Sequence, residues 1–125
     1  MSYISVIGAG SWGTTLACLL TTKGYDITLW AHEKELAEEM STSRINSIYL
    51  PGISLPDEMH VTHSLEKSLQ KARYVINAVP SQYTRLVFQG DKSRKIRFYV
   101  FFSAYASLGQ GVMASQQYVF WEDHL

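Results

Sequence analysis

The chain has 125 residues, 46% of them hydrophobic, which fits one domain with enough apolar content for a real core. Its 11 basic and 11 acidic residues cancel, which argues against a dedicated nucleic-acid binder. The single cysteine, Cys18, permits no internal disulfide, no basic-then-apolar leader precedes the first strand, and no apolar run is long enough to span a bilayer, so a soluble cytoplasmic protein with no membrane partner is expected.

The first predicted element is an apolar strand, Tyr3-Ile4-Ser5-Val6-Ile7. Gly8-Ala9-Gly10-Ser11-Trp12-Gly13 follows and opens into a predicted helix over Thr14 to Lys23. A second strand, Ile27-Thr28-Leu29-Trp30, comes next. A glycine-rich turn can simply join a strand to a helix. Strand, glycine loop, helix and strand in succession is the context in which this spacing marks a dinucleotide site. Gly8 allows the tight turn, Gly10 lets the backbone approach a diphosphate, and Gly13 lets the helix pack close to the strand. Amides at the helix start then point at the phosphates, and the helix dipole favours their charge. Gly8, Ala9, Gly10, Ser11, Trp12 and Gly13 are the candidate cofactor-binding loop.

In the first helix Trp12, Leu16, Leu19 and Leu20 recur at helical spacing, so their face is expected to lie on the sheet. Cys18, among Ala17, Leu19 and Leu20, reads as a small buried hydrophobe rather than a reactive thiol. Beyond the second strand the chain reads Ala31-His32-Glu33-Lys34. A site for NAD usually places an acid near here against the ribose 2′-hydroxyl. Glu33 is slightly late for that and suits a helix start, whereas His32 and Lys34 suit a 2′-phosphate. NADP, or either cofactor, is therefore expected. The plainer alternative is three solvated residues at a helix start.

Glu33 to Met40 reads as a second helix, with Leu36, Ala37 and Met40 inward and Glu35, Glu38 and Glu39 outward. Ser41 to Asn46 is a polar stretch, and Tyr49 to Pro56 a proline-punctuated loop. Met59-His60-Val61-Thr62 is a short strand. His60 and His63 fall on opposite faces and lack further ligands nearby, so no metal site is expected. Ser64 reads as the N-cap of a third helix lined by Leu65, Leu69 and Ala72. Tyr74 to Val79 is a near-continuous apolar run, as in a strand buried on both faces, and ends in Pro80-Ser81-Gln82. Alternating strands and helices imply a Rossmann-type α/β fold, a doubly wound and mostly parallel sheet. Ligands of such sheets sit beyond the strands' carboxyl ends, so the glycine loop, His32 and Pro80 are expected to line one crevice.

Several of these segments together resemble a known family. Ile4 to Thr14, Ile27-Thr28-Leu29-Trp30, Tyr49-Leu50-Pro51-Gly52 and Ala78-Val79-Pro80-Ser81-Gln82 look like the bacterial-type NAD(P)-dependent glycerol-3-phosphate dehydrogenases, over about residues 2 to 88. The resemblance implies hydride transfer between dihydroxyacetone phosphate and sn-glycerol 3-phosphate, feeding phospholipid synthesis, in a cytoplasmic dimer. It also implies that Ser11, Trp12 and His32 contact NAD or NADP, with Tyr49 as a further candidate. The family's second, helical domain holds the phosphorylated substrate and supplies a catalytic lysine. With the chain ending at Leu125, that domain and all catalytic residues are expected to be absent and the chain inactive alone.

The end of the chain departs from that pattern. Where the family carries Ser-Lys-Gly after its fifth strand, this sequence reads Phe101-Phe102-Ser103-Ala104-Tyr105, and no lysine follows Lys95. Residues 1–89 hold 8 aromatic side chains and the shorter stretch 90–125 holds another 8. Lys92, Arg94, Lys95 and Arg97 read as a solvated basic turn, and Ile96 to Phe102 as a strand. The expected organisation is a dinucleotide-binding domain over 1–102 and an atypical tail over 103–125, of the kind a reading-frame shift near residue 88 or a disordered end produces. The alternative function is a stand-alone NAD(P)-binding module whose aromatic tail meets a partner.

Overall fold

The computed structural model describes residues 3–79, together with the backbone of strand segments 98–101 and 120–122. Strand β1 (Tyr3–Ile7) leads to helix α1 (Ser11–Thr22), strand β2 (Asp26–Trp30) and helix α2 (Lys34–Ser43). Two short strands follow, β3 (Ile45–Asn46) and β4 (Leu50–Ser54), then β5 (His60–Thr62), α3 (Leu65–Gln70) and β6 (Tyr74–Asn77). Strands β7 (Phe98–Phe101) and β8 (Phe120–Glu122) complete the described elements.

Six strands form one sheet in the order β5-β2-β1-β6-β7-β8. The pairs β1–β2, β1–β6, β2–β5 and β6–β7 are parallel, and β7–β8 is antiparallel. From β1 the chain winds outward one way through β2 to β5, then returns to the other side of β1 as β6. The order therefore reverses beside β1, which puts a crevice at its carboxyl end. That is the mostly parallel doubly wound sheet expected from the alternation of elements.

Side chains alternate across this sheet. Val6, Ile27 and Leu29 face α1 and α2, and pack with Ala17, Leu36, Ala37, Met40, Leu55 and Met59. Ile7, Trp30 and Val75 face the other way and pack with Leu69, Ala72 and Val79 beside α3. Ser5, also on the α3 face, donates its hydroxyl to the Ser68 carbonyl and ties the helix to the central strand. Ser64 caps α3 as expected, its Oγ accepting the Lys67 N–H at 3.3 Å.

Three local expectations are corrected. The buried face of α1 is Gly13, Thr14, Ala17 and Thr21. Trp12 and Leu19 point to solvent, 47% and 52% exposed, and Leu16 and Leu20 are only half-buried. The helix lies too close to the sheet for large residues on its inner face. The polar stretch after Met40 continues α2 to Ser43, because the Thr42 and Ser43 hydroxyls bond back to the Glu38 and Glu39 carbonyls at 2.8 and 2.7 Å. Arg44, in the left-handed region at φ 57°, then ends it. The segment expected as a loop from Tyr49 to Pro56 instead contains β4, antiparallel to β3. Pro51 is tolerated because this two-stranded ribbon is all edge.

Candidate dinucleotide site

The glycine loop leaves β1 between two neighbouring strands. Gly8 N–H donates to the Trp30 carbonyl at 3.1 Å, and Ala78 N–H donates to the Ile7 carbonyl at 2.8 Å. Gly8 has φ +117°, a conformation that a side chain resists, and a Cβ there would lie 3.0 Å from the Ala78 carbonyl carbon. Gly13 faces the most severe restriction: its Cβ would come within 1.9 Å of the Gly8 carbonyl oxygen. Turn and helix thus pack backbone to backbone.

Gly10 is different in kind. Its φ of −69° and ψ of −177° suit any residue, and among the described residues a Cβ on it would meet nothing within 4 Å. Nothing among the described residues requires a glycine there. It stands at the N-cap of α1, where no side chain caps the helix and no acid occupies the first turn. The first turn is bonded by Thr14 N–H to the Gly10 carbonyl at 3.0 Å. The positive end of the helix dipole is therefore not neutralised from within the first turn.

A buried side chain that the sequence reading passed over anchors this loop. Asn46 is fully buried on β3. Its Nδ2 donates to the Ala9 carbonyl and to Thr14 Oγ1, each at 2.9 Å. Its Oδ1 accepts the Tyr49 N–H at 3.0 Å. The exposed Tyr49 hydroxyl in turn lies 3.4 Å from Glu33 Oε1, and Glu39 Oε1 accepts the Ser47 N–H at 3.1 Å. Glu39, expected to point into solvent, thus holds the turn between β3 and β4. Arg44 fastens the other end of this ribbon, donating to the Met59 and Asp57 carbonyls at 2.9 and 2.6 Å.

The structure therefore brings Ala9, Gly10, Thr14, Asn46, Tyr49 and Glu33 into one connected neighbourhood. His32 sits exposed at the end of β2 with its ring edge-on to Trp30, centroids 5.8 Å apart. Trp30 is fixed in turn by its indole N–H, which donates to the His63 carbonyl at 2.9 Å. Ser11 and Trp12 occupy the first two positions of α1, with Lys34 first in α2. Pro80 lies outside the described residues. On the far edge His60 Nε2 is 3.7 Å from Asp26 Oδ1, and among the described residues no three metal-ligating groups come together. Among the described residues no helix is long and apolar enough to cross a membrane. Cys18, half-buried against the core, has its thiol pKa pushed up by desolvation.

Comparison with known proteins bears on the same residues. A family model described as NAD-dependent glycerol-3-phosphate dehydrogenase N-terminus matches residues 3–98, further than the resemblance placed at about 88. A glycerol-3-phosphate dehydrogenase [NAD(P)+] of Geobacter sulfurreducens is 54% identical over 82 residues, 66% of this chain and 24% of that protein. The same-named protein of Desulfotalea psychrophila is 52% identical over 86 residues, 69% of this chain and 25% of that one. In three dimensions the chain is similar to the crystal structure of the Coxiella burnetii glycerol-3-phosphate dehydrogenase, with a TM-score of 0.67 and 28% identity. That alignment covers 81% of this chain and 32% of the other. The chain thus spans about a quarter of the length of the curated relatives it matches.

Proposed function

We propose, for a chain that belongs to the family of NAD-dependent glycerol-3-phosphate dehydrogenase N-termini, that Gly8, Ala9, Gly10, Ser11, Trp12 and Gly13 hold the diphosphate of NAD or NADP at the carboxyl end of β1. Gly10 is the observation that carries this reading. Among the described residues this glycine has no backbone or packing reason, which supports a ligand that must approach the main chain. The N-terminal end of α1, with no acid in its first turn, suits the negative charge of such a ligand. His32, Tyr49 and Pro80 complete the proposed site. Glu33, beside the Tyr49 hydroxyl, is suited to a ribose hydroxyl, and its neighbours His32 and Lys34 to a 2′-phosphate, so both dinucleotides are expected to bind.

When bound, the nicotinamide supplies or accepts a hydride. This chain's contribution is to grip the dinucleotide's phosphates and adenosine end and so hold the reactive ring in place. We propose that the whole protein interconverts dihydroxyacetone phosphate and sn-glycerol 3-phosphate in the cytoplasm as a homodimer, as its relatives' names suggest for the reaction. The part of this chain that aligns with those relatives is about a quarter of their length. We expect the 125 residues alone to bind cofactor without turnover. We keep 1–102 as the dinucleotide-binding domain. A second reading, a stand-alone binding module with an aromatic partner surface, draws support from Phe120–Glu122, which adds a strand beside β7. Substrate-dependent oxidation of NADH by the 125 residues alone would overturn the expected inactivity.

The decisive experiment is calorimetric titration with NADH and NADPH side by side, on the unsubstituted chain and on Gly10→Ala. Saturable binding is expected for the former. Gly10→Ala is expected to keep its stability within about 1 kcal/mol, since only the small N-cap preference for glycine over alanine is lost. Its affinity is expected to drop at least about tenfold, because the added methyl meets the ligand instead of the protein. Equal affinities for the two proteins would refute the proposed cradle.

A further inference from the structure

We infer that Asn46 is a positioning residue for the cofactor loop: its side-chain amide fixes the Ala9–Gly10 peptide so that the Gly10 N–H is aimed outward at the diphosphate. The inference rests on the dinucleotide reading above and adds to it a residue that lies 37 positions away in sequence from the loop it controls.

The argument begins with peptide geometry. A trans peptide is planar, and its C=O and N–H point in opposite directions. All peptides described here are trans. Asn46 is fully buried and draws the Ala9 carbonyl inward at 2.9 Å. The N–H of the same peptide, which belongs to Gly10, is thereby turned away from the interior. The side-chain position of Gly10 is open among the described residues. One side chain therefore sets the direction of the amide best placed to meet an anion.

The remaining bonds of Asn46 make this orientation hard to escape. The second Nδ2 proton goes to Thr14 Oγ1, one turn further along α1, at 2.9 Å. The two donors of one amide thus span the first turn from both ends. Oδ1 is committed to the Tyr49 N–H at 3.0 Å. Rotating the amide would set an oxygen against the Ala9 carbonyl and an NH2 against the Tyr49 N–H, two repulsions in place of two bonds. Because the same group also holds Tyr49, whose hydroxyl reaches Glu33 at 3.4 Å, the loop and the proposed ribose edge are registered to each other through Asn46.

Asn46→Asp separates this role from bulk support. The aspartate keeps the size and the acceptor for the Tyr49 N–H, and loses the donor to Ala9. We expect the Gly10 amide nitrogen resonance to move in the ligand-free protein, since it belongs to the peptide whose carbonyl has lost its hydrogen bond. We also expect NADH affinity to fall by about tenfold or more in fully folded protein, the effect of one misdirected hydrogen bond to a charged group. Leu69→Ala, on the opposite face of the sheet, is expected to lower the melting temperature while leaving both the Gly10 resonance and the affinity alone. A second measurement needs no variant: saturating NADH should slow solvent exchange of the Asn46 side-chain amide protons, because the ligand locks the loop they hold. Folded Asn46→Asp with unchanged affinity or an unmoved Gly10 resonance overturns the inference, as does unchanged exchange at Asn46. Failure of the unsubstituted chain to bind either dinucleotide overturns the cofactor reading itself, and this inference with it.

Discussion

Helices α1 and α2 cover the same face of the sheet and are held there in opposite ways. The inner face of α2 is apolar bulk, Leu36, Ala37 and Met40. That of α1 is nearly devoid of it: Gly13, Thr14, Ala17 and Thr21. A hydrophobic helix face is normally what fastens a helix to a sheet. Here α1 has surrendered burial for proximity, and its larger side chains, Trp12 and Leu19, stand in solvent. Proximity serves the loop. With Gly13 against the Gly8 carbonyl, the start of α1 sits directly at the end of β1. One helix is built for stability and the other for the placement of its first turn.

Substitutions on the inner face of α2 should therefore cost stability alone. Met40 is fully buried among Leu36, Leu55 and Met59. Met40→Ala is expected to destabilise by about 3 kcal/mol, the transfer loss plus a cavity, read as a lower denaturant midpoint. The folded fraction should bind NADH as the unsubstituted chain does. A large drop in affinity would break the division of labour between the helices.

Gly13→Ala tests the other half. An alanine inside a helix ordinarily gains up to about 1 kcal/mol over glycine. Here its Cβ would collide with a backbone oxygen at 1.9 Å, which the chain relieves only by moving α1 off β1. A net loss of about 2 kcal/mol is expected, as for overpacking elsewhere. Unlike Met40→Ala, it should also abolish measurable cofactor binding by calorimetry, because the loop moves with the helix. Intact binding in Gly13→Ala would mean that the close approach serves packing only.

The same contrast explains what the amino-acid sequence made legible. The inward residues of α2 were readable because they are large, apolar and spaced at helical intervals. Those of α1 were not, because hydrophobic periodicity gives weight to Leu16, Leu19 and Leu20 and none to Gly13 or Thr14. The glycine spacing held the missing information, since a helix that must approach a strand backbone needs small residues facing it. The doubly wound, mostly parallel sheet followed from alternation and from the apolar runs in β1 and β6. The β3–β4 ribbon did not: Pro51 and Gly52 read as punctuation, and two residues of β3 are too few for any periodicity. Asn46 lay at the end of a polar stretch with no local signal. Its partners, Ala9 and Thr14, are 37 and 32 positions away, so only the folded chain brings its role into view.

The smallest expected effect lies on the boundary between the two faces of α1. Cys18 is half-buried beside Ala17, and desolvation raises its thiol pKa. In the unfolded chain the thiol ionises near the ordinary range of about 8.5. Just above that range the folded chain holds a proton that the unfolded chain has lost. Stability falls with rising pH wherever the native state binds more protons, so the folded form should weaken as pH climbs through this window. Below about pH 8 the thiol is protonated in both states and the term is flat. Cys18→Ala removes the group and should flatten the decline, measured as the difference in denaturant midpoint between pH 7 and pH 10. Groups that titrate in both proteins cancel in that comparison. Parallel pH profiles would place Cys18 on the solvent side of α1 with Leu19, and would narrow the dry face of the helix to Gly13, Thr14, Ala17 and Thr21 alone.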